Sequence, residues 1–487
     1  MLPSTLQESS AKKKALLAKF KENVLSIPKS YIKLGKDDPR RITHSLKVAL
    51  AITLVSFIYY ERHLYDRFGV NGIWAVITVV VVFEFTAGAT LSKGLNRVLA
   101  TLLGSALGFG AVSLARRIGH ICDTPPAECF HGQNKIAEGI VIGISVFIIA
   151  AGATFTRFFP EIKARYDYGV MILILTFTMV TDYGFRLDSV ENDFQVALER
   201  LETVLIGGAT CIIISICIFP VWAGEDLHNS IASNLEKLAN YLQAFGSVCF
   251  QSSKHGRTVV IKKDEPFLQG YKSVLSSKVK EEMLANFARW EPGHGRFGLF
   301  YPWKQYLKIG DLARECASSI EAINPYVDSD IQQSPGFQSK IQESCKKMSA
   351  ESSMALRELA RAIKTMTEPS SASPYLENSK FAMNHLKTAL KDFSFESADL
   401  LAILPAASVS SILVEIIKCI EKISKGVHEL SELARFKNAE PTMSCKKLHQ
   451  VFINPSCEGD GKLNMGDKTI HFINLLPRPE NNKSITN

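Results

Sequence analysis

The sequence predicts an all-α membrane protein, six transmembrane helices followed by a cytoplasmic helical domain. Three observations predict it. From Phe68 to Ser92 the only charged residue is Glu84, and at about 1.5 Å per residue that stretch crosses a hydrocarbon core of about 30 Å. Directly beyond it, Val98 to Ala115 carries no charge. The whole chain is 46% hydrophobic, yet the long apolar runs are confined to residues 1–222.

The elements follow in order. Residues 1–42 form a basic cytoplasmic segment, since residues 1–47 hold eleven Lys/Arg against four Asp/Glu. An excess of cations suits the cytoplasmic side of a bilayer. No apolar run before residue 46 suggests a signal peptide. Residues 12–36 read as an amphipathic surface segment interrupted by Pro28, and Asp37 or Asp38 as a helix cap before Pro39. Residues 43–222 hold six candidate spans. The first runs over 43–60, and the second and third form a hairpin with its bend at Ser92-Lys-Gly-Leu-Asn-Arg97. The fourth is Gly139–Thr156, the fifth Tyr168–Thr181 and the sixth Thr203–Phe219, closed by Pro220. Gly104 and Gly108 have the small-residue spacing of close helix packing. An even number of spans puts both termini in the cytoplasm. The segments 61–67, 116–138 and 182–202 then lie outside, the last of them acidic. Cys122 and Cys129 share one outer segment, as a disulfide or as two free thiols.

The charges inside this apolar half are the candidate functional residues. Glu84 either pins two helices by pairing with a cation or carries protons. Lys93 and Arg97 lie toward the inner ends of spans, Arg116 and Arg117 at an outer end. The uncharged parts of the first and fifth spans are short, so Lys47 and Arg165 extend them. Such cations either snorkel to an interface or line a water-filled anion path. Trp74 and Phe85 are candidates for a constriction, with core packing as the alternative.

Residues 223–438 read as soluble helices. Ile412, Ile416, Ile420, Ile423 and Val427 form one apolar stripe; Leu235, Leu238 and Leu242 form another. Pro369 to Pro374 reads as a linker, His294 as structural, and residues 439–487 as a polar tail. No catalytic constellation, zinc spacing, cofactor motif or nucleic-acid motif stands out, so the expectation is no enzyme, no cofactor, no metal and no nucleic-acid partner.

Several longer motifs carry a resemblance. Trp74-Ala-Val with Val-Val-Val-Phe-Glu-Phe, then Gly88-Ala-Thr-Leu-Ser-Lys-Gly-Leu-Asn-Arg97, resembles the plant aluminium-activated malate transporter family. So do Asp38-Pro-Arg-Arg41, Arg165-Tyr-Asp-Tyr-Gly169, Pro220-Val-Trp-Ala-Gly-Glu-Asp-Leu-His228 and Trp290-Glu-Pro292. The resemblance implies a homodimeric anion channel that conducts malate and, in some members, small inorganic anions. It implies regulation by gamma-aminobutyrate near Phe219, and no general response to aluminium. The outer segment around Cys122 and Cys129 is longer than the family's, so outer-surface sensing residues do not carry over.

The expected function is therefore an anion channel passing malate and small inorganic anions across a plant membrane, the plasma membrane rather than the vacuolar one. The alternative is a proton-coupled organic-anion secondary transporter.

Overall fold

The computed structural model describes residues 32–121, 131–186, 190–249, 266–323, 335–391 and 400–437, all within the compact unit Met1–Ala439. The described residues are almost entirely helical and contain no strand. The polar tail, the disulfide question at Cys122 and Cys129, and most of the basic N-terminal segment lie outside them.

The apolar half contains α1 (Arg40–Tyr60), α2 (Arg62–Phe68), α3 (Ile73–Val82), α4 (Ala87–Ile121), α5 (His131–Thr156), α6 (Pro160–Arg186) and α7 (Val190–Cys217). Among the described residues, four segments are long and apolar enough to cross a membrane: Ala87–Gly119, Lys135–Thr156, Pro160–Arg186 and Ala197–Cys217. Ile73–Val82 is a shorter apolar helix. These helices turn large apolar side chains outward, including Leu99, Leu103 and Leu107 of α4 and Ile140, Ile144 and Phe147 of α5. Water penalises such faces, whereas hydrocarbon does not. The chain is a membrane protein.

The bend of the expected hairpin lies elsewhere. Ser92–Arg97 is inside α4, and the chain breaks at Phe83–Thr86 instead. Two hydroxyls make that break tolerable by taking backbone groups that a continuous helix would have paired. Thr86 Oγ1 accepts the Ala89 N–H at 3.3 Å, and Thr90 Oγ1 accepts the Glu84 N–H at 3.0 Å. The Ala87 N–H reaches the Val221 carbonyl at 2.9 Å. The small and polar residues that resemble a turn serve close packing. Asn96 is buried, and its Nδ2 donates to the Arg165 carbonyl at 3.0 Å. A Cβ added at Gly94 would lie 3.5 Å from Ile212 of α7.

The expected close packing at Gly104 and Gly108 is present. A Cβ at Gly104 would stand 2.9 Å from Thr176 Cβ and 3.0 Å from the Leu173 carbonyl; one at Gly108 would stand 2.9 Å from Val180. These two glycines let α4 lie against α6. The short uncharged core of the fifth expected span sits inside a helix of 27 residues, and that of the first inside one of 21. Pro39 rather than Asp37 or Asp38 stands at the N-cap of α1, and Asp38 before it accepts the Arg40 N–H through Oδ1 at 3.1 Å.

The second half is a helical bundle around α8 (Ala223–Cys249), with α9 (Pro266–Leu275), α10 (Lys278–Ala288), α11 (Trp303–Glu321), α12 (Pro335–Thr365), α13 (Ser373–Lys391) and α14 (Leu400–Leu433). Its core contains Leu235, Leu238 and Leu242 of α8 with Ile416, Ile420, Ile423 and Val427 of α14; Ile412 is only partly buried. Pro369–Ala372 is a single 3-10 turn rather than a loose linker, and it runs directly into α13. There Pro374 sits in the first turn, where its missing N–H has no partner to lose.

The two halves meet along a polar seam. Arg40 of α1 pairs with Asp226 of α8 at 2.8 Å. Glu291 accepts the N–H groups of Ala223 at 2.6 Å and Gly224 at 3.0 Å. Gly88, in the first turn of α4, is pressed on the same place: an added Cβ would meet the Phe287 carbonyl at 2.4 Å. His294 stacks on Trp222 with ring centroids 3.8 Å apart, in keeping with a structural role.

Candidate anion pathway

Lys93 and Arg97 are one helical turn apart on α4, so they share a face. Lys93 forms an ion pair with Glu84. Its Nζ also lies 5.8 Å from the centre of the Tyr168 ring of α6. The hydroxyl of that tyrosine accepts Arg97 Nη1 at 2.9 Å. Glu84, Lys93, Tyr168 and Arg97 thus form a polar ladder climbing from the chain break into the bundle. The Glu84 side chain is 37% exposed, so it is not the buried acid that its apolar surroundings predict.

Arg97 is buried at 2% exposure, and its Nε has no hydrogen-bond partner. A second arginine has the same property. Arg200 of α7 is 4% exposed, and its Nε and Nη1 are without partners. Its guanidinium carbon lies 3.8 Å from the centre of the Trp74 ring, in cation–π contact. Arg97 lies about 15 Å along α4 from the end that meets Val221, and Arg200 about 25 Å along α7 from Cys217 at that same end. The charges of the two arginines act on one another. Among the described residues neither guanidinium has a carboxylate partner. Buried charge without a counter-charge is costly, and buried N–H groups without acceptors add to that cost.

The other candidates are placed differently. Lys47 is buried at 3% exposure, but its Nζ donates to the Phe219 carbonyl at 3.0 Å and so caps the end of α7. Phe219 has a φ of 40° and a largely exposed ring. Phe85 packs on His44, with centroids 5.5 Å apart, and on Arg40, at the foot of α1 and a helix away from Trp74. Arg116 ties the end of α4 to the Gly184 carbonyl of α6 at 2.9 Å, and Arg117 is exposed. Arg165 is exposed at the start of α6. The structure therefore joins buried Arg97 to half-buried Tyr168 and buried Arg200 to half-buried Trp74. It leaves Lys47, Phe85, Arg165, Arg116 and Arg117 apart from these pairs.

Sequence reasoning did not single out Arg200, because it sits in the acidic stretch 182–202. Its signal was position: it precedes the uncharged run from Thr203 by one helical turn, heading into the bundle. Tyr168 opens the fifth expected span and belongs to the motif Arg165-Tyr-Asp-Tyr-Gly169.

Comparison with known proteins gives the family. The sequence model of the family described as "Aluminium activated malate transporter" matches residues 32–396. The chain is 45% identical to aluminum-activated malate transporter 2 of Arabidopsis thaliana, over 90% of this chain and 84% of that protein. It is 43% identical to aluminum-activated malate transporter 1 of the same plant, over 95% and 90%. Aluminum-activated malate transporter 1 of Triticum aestivum is 41% identical, over 84% and 85%.

Proposed function

Given that this chain belongs to the aluminium-activated malate transporter family, we propose that it is a channel passing malate and small inorganic anions down their electrochemical gradient. It is a transporter and not an enzyme. The observation that carries the proposal is the pair of buried guanidiniums, Arg97 and Arg200, with N–H groups free of protein acceptors. Two unit charges about 4 Å apart attract by about 1 kcal/mol in water and about 4 kcal/mol near a protein wall. A dianion with two carboxylates thus finds a favourable but shallow station, which conduction requires.

In this reading the channel has six spans per subunit: α1, the run from α2 through α3, and α4 to α7. The bundle from α8 onward is cytoplasmic, as are both termini. The channel is a homodimer of the plasma membrane. The boundaries are those of the sequence: 1–42, 43–222, 223–438 and 439–487. Lys93, paired with Glu84, lies below Arg97, with Arg116 and Arg117 at the outer mouth. Trp74 holds Arg200 in place and narrows the path beside it. Phe219, exposed beside the cap from Lys47, is the place for regulation by small molecules.

Recording from purified protein in lipid bilayers tests the channel mechanism. Reversal potentials that follow the malate and chloride gradients and ignore a pH gradient support it. Reversal potentials that move with pH support proton coupling, the rival mechanism, against which stands the engagement of Glu84 with Lys93.

A further inference from the structure

Helix α10 meets the membrane half at Phe287, against Gly88 of α4, and at Asn286, against α6. Asn286 Nδ2 donates to the carbonyl of Ala164, in the first turns of α6, at 3.2 Å. Val279, Met283 and Asn286 are spaced four and three residues apart, so they share one face of α10. The opposite face, Glu281, Leu284, Ala285 and Ala288, is buried in the bundle. The face that touches α6 at Asn286 therefore continues outward as Met283, 49% exposed, and Val279, 77% exposed. Among the described residues nothing covers these two side chains fully. Near the same end of α6, Phe155, Phe158 and Phe159 are exposed and packed on one another, with centroids 6.0 to 6.4 Å apart. Exposed phenylalanines at a helix end suit burial at the boundary of headgroups and acyl chains.

The charges around this face have one sign in excess. Arg165 at the start of α6 and Arg289 at the end of α10 are both exposed, and the charge of Arg165 acts on Arg289. Among the described residues neither guanidinium has a carboxylate partner. Lys163 and Lys280 are exposed nearby on the same two helices. Glu282, the acid flanking this face, is held by Lys278 at 4.0 Å.

We infer that α10 lies in the interface of the leaflet adjoining the second bundle, with Val279 and Met283 among the acyl chains and Arg165 and Arg289 on the phosphate of an anionic phospholipid. The inference rests on reading α4–α7 as membrane-spanning. The occupant follows from continuity with the lipid-facing end of α6 and from charge complementarity. A lipid headgroup bound here bridges the membrane half and the bundle at the Asn286–Ala164 contact. It thereby offers a route by which lipid composition sets the position of one half against the other.

Native mass spectrometry of the detergent-purified full chain, titrated with short-chain phosphatidylserine, phosphatidylcholine or inorganic phosphate, tests this. Each cation near an anionic lipid is worth about fivefold in affinity, so Arg165→Gln/Arg289→Gln should bind phosphatidylserine about thirtyfold more weakly. Phosphatidylcholine binding should not change, and Arg289→Lys should keep most of what Arg289→Gln loses. Millimolar inorganic phosphate should not displace the lipid. Wild-type phosphatidylserine affinity in the double variant overturns the inference, as does full displacement by phosphate, which would mark a soluble-anion site. Cross-linking of Met283→Cys between two copies in vesicles also overturns it, because a second copy would then cover the face. Alkaline carbonate washing of those vesicles checks the spanning reading separately: release of the protein defeats that reading, whereas retention leaves the lipid result to stand by itself.

Discussion

The ring nitrogen Nδ1 of His228 lies 2.8 Å from the hydroxyl of Tyr306, with both residues buried in the core of the second bundle. Burial pushes the imidazole pKa down to about 4. The folded-state value lies below the unfolded one, so the unfolded chain takes up a proton first as pH falls. Stability should be fully present above pH 6.5 and be lost progressively toward pH 4, by up to about 3 kcal/mol from this residue. Thermal melting of the purified chain against pH measures it. His228→Gln, which stays neutral, should flatten the profile over that window.

Glycine is required where α4 lies against α6. Gly104→Val should place methyl groups inside the Thr176 and Leu173 backbone contact, at a cost of about 1–3 kcal/mol. A lower melting temperature and a smaller monodisperse fraction in detergent are the expected outcome, with Gly110→Ala, which meets nothing within 4 Å, as the control.

Glu84 and Lys93 should behave as a pair. Glu84→Gln and Lys93→Gln should each lower folded yield, and the double variant should recover part of the loss. The side chains are about a third exposed, so a double-mutant cycle on melting free energies should return a coupling of about 0.5–1 kcal/mol. Reversal potentials of Glu84→Gln should stay as indifferent to pH as those of the wild type.

The proposed cytoplasmic placement of the C-terminus has a chemical test. Asn482-Lys-Ser484 is the only glycosylation sequon in the chain without proline at its second position. Expressed in plant cells, Asn482 should carry no glycan; a glycan there would reverse the topology.

Helical class and apolar runs were legible because composition and period determine them. The position of the break was not. Phe83 and Phe85 flank Glu84 with the same hydrophobicity as the preceding valines, and the caps that permit the break come from Thr86 and Thr90, residues equally at home in a helix interior. Ser92, Gly94 and Asn96 read as a turn because turns and tight helix interfaces draw on the same small residues. At the candidate site, Arg97 stood out as a cation among apolar neighbours. Arg200 did not, since only the fold separates it from the local acids and sets it on Trp74. Lys47 illustrates the converse: its charge was visible, but its tie to the Phe219 carbonyl is a contact across 172 positions.

The account turns on Arg97 and Arg200 as a shared anion station, and single-channel recording of Arg200→Gln and Arg200→Lys in lipid bilayers tests it most directly. The expected loss of one buried charge–carboxylate contact is about 1–4 kcal/mol, which a dianion feels more than a monoanion. Arg200→Gln should therefore lower unitary malate current at least about fivefold and chloride current less, with Arg200→Lys in between and Arg97→Gln acting in the same direction. Unchanged unitary malate current in Arg200→Gln, at normal channel abundance and melting temperature, would contradict the account.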